Sequence, residues 1–167
     1  MTNLAAEIPQ RAFINAQIIQ RVRDTGAFQA AAYEISSTYG IRDYEFMNPA
    51  YVASLLYCLL VVPRQLFVEG NEGFWDSQVP PAAIASYFAV RTATPEILQR
   101  SSQFLGRLRN AVAHARFEVD ENFMFVFRDG RNAVEFEVQV PAEKLMAFLS
   151  DIGSKLANLR NLPSPVQ

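Results

Sequence analysis

At 167 residues and 50% hydrophobic content, the chain can build one domain around its own core without a disulfide or a structural metal. Charged residues make up only 19%, below the usual quarter, so some surface is expected to be covered by a partner. The net charge of -2 excludes a general polyanion coat and leaves any nucleic-acid contact to a local basic cluster.

The opening "MTNLAAEIPQR" has neither a basic start nor a long apolar stretch, so no secretory signal is expected and the chain reads as cytoplasmic. A first helix is predicted from Pro9 to about Arg23, with Ile14, Ile18 and Val22 as its inward stripe and Gly26 as its stop. A second helix should cover Phe28 to Tyr39. Asn48 then stands as an N-cap with Pro49 at the first helical position, opening the long apolar helix "YVASLLYCLLVV" that Pro63 should kink or divide. That run is too short to span a membrane and reads as the central core helix. Its Cys58, the one cysteine, reads as a small core hydrophobe and fits a reducing compartment.

The segment "EGNEGFWDSQVPP" reads as a loop, in which Phe74 and Trp75 serve as a core staple, a dimer contact or a base-stacking platform. A short helix follows from Ala82 to Phe88. Thr94, Pro95 and Glu96 then form a start signal for one helix running to about Ala115. After it the period changes to two. Phe123, Phe125 and Phe127 alternate, "RDGR" supplies a turn, and Val134, Phe136, Val138 and Val140 alternate again, which predicts a β-hairpin. Pro141 opens a last helix with Leu145, Leu149, Ile152, Leu156 and Leu159 on one stripe. The expected fold is mainly α: a helical bundle over residues 1–160 with a hairpin before the last helix, and a disordered tail over 161–167.

One histidine and one buried cysteine cannot supply a zinc site or a Cys-His pair, and no glycine-rich phosphate loop is present. A carboxylate set for magnesium could only come from residues such as Asp43, Glu45 and Asp76, whose spacing does not single them out. No metal and no cofactor is therefore expected. What remains is "LGRLRNAVAHARF". At about 100° per residue, Leu105, Leu108, Ala111, Val112 and Ala115 face inward with Phe104 at the edge. Opposite them a groove should run over Gly106 and Ala113, with Arg109 on one wall and His114 on the other. Asn110, four residues before His114, is placed to hydrogen-bond the imidazole. The plainer reading is a histidine capping a helix end beside an ordinary surface arginine.

The string "LRNAVAHARF" resembles the signature of the HEPN superfamily: an arginine, then a polar residue, often asparagine, and a histidine a few residues later. It maps onto Arg109, Asn110 and His114, with four residues between the outer pair. The resemblance implies a HEPN-like helical bundle and a metal-independent endoribonuclease whose site forms between two copies of the chain. It makes His114 a general acid or base and Arg109 the phosphate holder, with Asn110 in support and Arg107 and Arg116 as RNA-backbone contacts. The expected products are a 2′,3′-cyclic phosphate and a 5′-hydroxyl. A toxin or phage-defence role, with an antitoxin or regulatory protein as partner, is implied alongside. Some toxin members carry a modifiable tyrosine two residues after the histidine; here that position is Arg116. The alternative is a non-catalytic HEPN-like module that binds RNA or nucleotide, or a dimeric interaction protein.

Overall fold

Alternation along two strands creates the apolar floor on which the helices pack. In β3 (Met124–Asp129) the side chains of Phe125, Phe127 and Asp129 are buried, and in β4 (Phe136–Pro141) those of Phe136, Val138 and Val140. Antiparallel pairing sets Phe127 opposite Val138 and Phe125 opposite Val140, so one face of the hairpin is apolar up to Asp129, which faces Phe136 at its end. The computed structural model describes residues 4–41, 48–62 and 72–157. Two short strands extend the hairpin, β1 (Ala89–Thr92) beside β4 and β2 (Phe117–Val119) beside β3, giving the order β1-β4-β3-β2. At four and three residues they carry too little pattern to be read in advance.

The helices are α1 (Leu4–Val22), α2 (Gly26–Thr38), α3 (Pro49–Leu56) with a π-helical continuation over Tyr57–Val61, α4 (Glu72–Gln78), α5 (Pro81–Tyr87), α6 (Pro95–Gln99), α7 (Ser101–Ala113) and α8 (Ala142–Ala157). The chain is thus mainly α, with the hairpin before the last helix as expected. The core joins Leu56 and Leu59 to Leu108 of α7, Leu145, Phe148, Leu149 and Ile152 of α8, and the sheet. Edge-to-face contacts of Phe88 with Phe104 and Phe148, and of Phe104 with Phe136, tie the layers together. Asn48 caps α3 as anticipated, accepting from the Tyr51 N–H at 3.0 Å. Among the described residues, no helix is long and apolar enough to cross a membrane.

Four expectations are corrected. The stripe on α1 points outward, with Ile14 and Ile18 about half exposed; Pro9, Gln10 and Ala16 are buried instead. The cause is α8: Phe13 lies so close to Gly153 that a Cβ there would meet the ring at 2.4 Å, and Gln10 Nε2 donates to the Ala157 carbonyl at 3.2 Å. Close approach at Gly153 selects the face that carries Phe13, Gln10 and Ala16 over the one with Ile14 and Ile18.

The expected loop around Trp75 is helical, and Trp75 is buried as a staple. That helix in turn divides the single helix expected from Pro95 to Ala115. Arg100 is extended (φ -127°, ψ 114°), and a new N-terminus begins at Ser101. Asp76 from α4 accepts the Ser102 N–H at 2.8 Å and faces Arg100 at 3.8 Å, while the Ser101 hydroxyl donates to the Val79 carbonyl. An acceptor supplied from another helix caps this start. In the hairpin, Phe123 and Val134 lie outside the strands and are exposed. Pro63, Leu159 and the expected tail 161–167 lie outside the described residues.

Candidate functional site

Helix α7 buries Phe104, Leu105, Leu108, Ala111 and Val112, so its opposite surface carries the polar residues of the motif. The helix stops because Ala115 adopts a left-handed conformation (φ 52°). The Arg116 N–H reaches back to the Ala111 carbonyl at 2.7 Å and the Ala115 N–H to Val112 at 3.1 Å, the pair of bonds that closes a Schellman end. His114 is the C-cap, and its N–H donates to the Asn110 carbonyl at 3.0 Å. Its side chain is exposed and, among the described residues, makes no hydrogen bond.

One turn earlier, Arg109 Nη1 donates to Asn110 Oδ1 at 2.9 Å. Asn110 Nδ2 donates in turn to Asp129 Oδ2 at 3.3 Å. Asp129 is the last residue of β3 and is only 6% exposed. Its carboxylate also accepts Arg107 Nη1 at 3.1 Å and Arg116 Nη1 at 3.3 Å. Arg107 is held a second time by Glu135 at 3.0 Å, and Arg116 by the Gly130 carbonyl at 2.8 Å. The hydrogen bond to Asp129 raises the Arg107 pKa above the ordinary arginine value, against a smaller opposing effect of burial. Arg109 Nε is buried and has no hydrogen-bond partner among the described residues.

The hairpin end is fixed by Gly130 (φ 151°), where a Cβ would lie 1.9 Å from the Ala133 carbonyl oxygen. Beyond it an open depression of about 250 Å³ is lined by Arg116, Arg131 and Asn132 among others. Arg128, at its edge, is paired to Glu118 and Glu137 at 2.9 and 2.8 Å.

The structure therefore gathers Arg107, Asn110 and Arg116 on one carboxylate, with Arg109 attached through Asn110 and His114 one turn beyond. Two details of the expected groove do not hold. Gly106 is buried, so the exposed strip is left to Ala113 and His114. The Asn110 amide is engaged by Arg109 and Asp129 and does not orient the imidazole. Asp76 caps α7; Asp43 and Glu45 lie outside the described residues.

Asp129 is the site residue that the sequence expectation lacks, because "RDGR" predicts a turn whereas Asp129 closes β3. The signal was available in the alternation: Asp129 keeps phase with Phe125 and Phe127, so it must be buried, and a buried carboxylate requires cationic or amide donors.

A family model described as HEPN pEK499 p136 matches residues 1–161. No curated protein and no solved structure matches the chain.

Proposed function

Because the chain belongs to the HEPN pEK499 p136 family, we propose that it is a metal-independent endoribonuclease whose site is completed by a second copy of the chain. Membership supports a HEPN-type nuclease or nucleotide-binding module. The observation that carries the nuclease reading is Arg109: one nitrogen is held by Asn110 while Nε is buried with no partner among the described residues, one turn from the exposed imidazole of His114.

A buried donor left unsatisfied costs free energy, which Arg109 recovers if its side chain turns outward and donates to an incoming phosphate oxygen. RNA brings its own nucleophile. The 2′-hydroxyl attacks the adjacent phosphorus, its proton passes to one imidazole, and the 5′-oxygen departs with a proton from a second. The products are a 2′,3′-cyclic phosphate and a 5′-hydroxyl. One histidine per chain supplies one of these roles, and His114 of the partner subunit supplies the other. Arg109 neutralises charge developing on the phosphorane. Arg107 and Arg116 first anchor the motif through Asp129; their solvent-facing nitrogens are left for the RNA backbone. A toxin or phage-defence role, with an antitoxin as partner, belongs to the same reading.

The test is cleavage of mixed single-stranded RNA in EDTA. Activity in the wild type that is lost in a folded His114→Ala variant supports the proposal; no cleavage by a folded wild-type dimer overturns it. One observation favours the second reading, a non-catalytic RNA- or nucleotide-binding module: Arg107 and Arg116 already have Asp129 and Glu135 as counter-charges. That reading expects RNA binding without cleavage.

A further inference from the structure

Beyond Asp129 the hairpin turns back on itself, closed by the Glu135 N–H on the Asp129 carbonyl at 3.0 Å. Arg131 and Asn132 stand on this turn, exposed, and their side chains make no hydrogen bond or ion pair among the described residues. With Arg116, Arg128 and Val134 they line the open depression of about 250 Å³.

The charges there do not cancel. The lining holds three arginines and one carboxylate, Asp129, which is already shared by Arg107 and Arg116. Arg128 is neutralised from outside the depression by Glu118 and Glu137. Arg131 is left without a counter-charge among the described residues. Arg116 makes both of its side-chain bonds through Nη1, to Asp129 and to the Gly130 carbonyl, so its Nε and Nη2 remain for another acceptor. On a chain of net charge -2 this is a local cationic spot, and its ligand is an anion.

We infer that the depression is a second RNA-backbone subsite, in which Arg131 and Arg116 hold the phosphate of a nucleotide next to the one being cleaved and Asn132 donates to that phosphate or its ribose. The inference rests on the reading of the end of α7 as an RNA site and extends it from the scissile phosphate to the adjoining strand. Arg116 is the link. It follows His114 by two residues and also lines the depression, so a strand presented to Arg109 and His114 meets Arg116 and then the turn. A volume of about 250 Å³ lies below the roughly 300–1,000 Å³ of pockets that enclose a whole ligand, which suits a passing strand better than a free nucleotide. Half-exposed Val134 offers an apolar surface to a sugar or base face. Contacts of this kind set register and affinity without reading sequence.

The test is the affinity of the full chain for a short single-stranded 2′-O-methyl RNA oligonucleotide, which has no nucleophile and reports binding alone. Arg131→Ala should weaken binding by roughly three- to tenfold and make the plot of log affinity against log salt shallower by about 0.7, the share of one phosphate on a single strand. Arg131→Lys keeps the charge and should keep the slope. The side chain is exposed and unbonded among the described residues, so both variants should match the wild type in circular dichroism and melting temperature. Equal affinity and slope for Arg131→Ala and the wild type overturn the inference, as does a mononucleotide or a polyglutamate peptide that binds as tightly as the oligonucleotide. Arg131-dependent binding with no cleavage of unmodified RNA in EDTA removes the nuclease reading and still supports the subsite. Cleavage with no effect of Arg131→Ala on binding removes the subsite alone.

Discussion

Asn110 Nδ2 donates to Asp129 at 3.3 Å, and this bond decides which way the Asn110 amide faces. A carboxylate can only accept, so the amide nitrogen must turn toward it and the amide oxygen must turn toward Arg109, whose Nη1 it accepts at 2.9 Å. The position of Arg109 therefore depends on a residue of β3 that belongs to no motif. Arg107 and Arg116 close on the same carboxylate from either side, so Asp129 joins the end of α7 to the hairpin.

Asp129→Ala should consequently destabilise the protein by about 2–3 kcal/mol, below the 3–5 of a fully buried pair because both arginines reach solvent. Asp129→Asn, which keeps an acceptor for Asn110, should lose less. Urea unfolding compares them, and equal stability of the alanine variant and the wild type would remove Asp129 from its assigned role.

His114→Ala and Arg109→Lys separate chemistry from fold. The imidazole is exposed and unbonded among the described residues, so its removal should leave the melting temperature within about a degree while lowering metal-free RNA cleavage by roughly 10²–10⁴-fold. A lysine at 109 keeps the charge and loses the planar fork; cleavage should fall by about tenfold or more. Wild-type rates in either variant would assign the reaction to other residues.

Ala115→Gly should stabilise the protein by about 0.5–1 kcal/mol, since a left-handed residue with a Cβ closes α7 where glycine is favoured. The sign is the informative part. Thermal unfolding at one pH reads it, and a destabilised variant would show that Ala115 is held by something other than the helix end.

Gly153→Ala places a methyl 2.4 Å from the Phe13 ring. Either α1 moves off α8 or the ring rotates, and overpacking of this kind costs about 1–3 kcal/mol. Fluorescence-monitored denaturation measures the loss; a neutral substitution would mean that Phe13 finds another position at no cost.

Burial raises the Cys58 thiol above its ordinary value. The folded chain therefore holds the proton at a pH where the unfolded chain has begun to release it. This contribution to stability is complete below the ordinary thiol range and is lost as pH rises toward the raised value. Alkylation by iodoacetamide should correspondingly be slower than for a free cysteine at neutral pH, with its rise displaced to higher pH. A rate profile that matches free cysteine would contradict the shift.

The sequence by itself determined which segments are periodic and which residues are chemically available. A capped start at Asn48, alternation around Phe125 and Phe127, the stripe from Leu145 to Leu156 and a motif at Arg109, Asn110 and His114 are local properties, set by spacing and by side-chain type. Which face of a helix is buried, where a helix breaks and what a polar side chain touches are decided by neighbours distant in the chain. Gly153 turned α1 so that Ile14 and Ile18 face out. Asp76 capped a new helix at Ser101, and Asp129 drew Arg107, Asn110 and Arg116 onto one carboxylate. Periodicity marks that a face is apolar, whereas close packing and the need to satisfy a buried charge choose among faces and partners only once the chain has closed on itself.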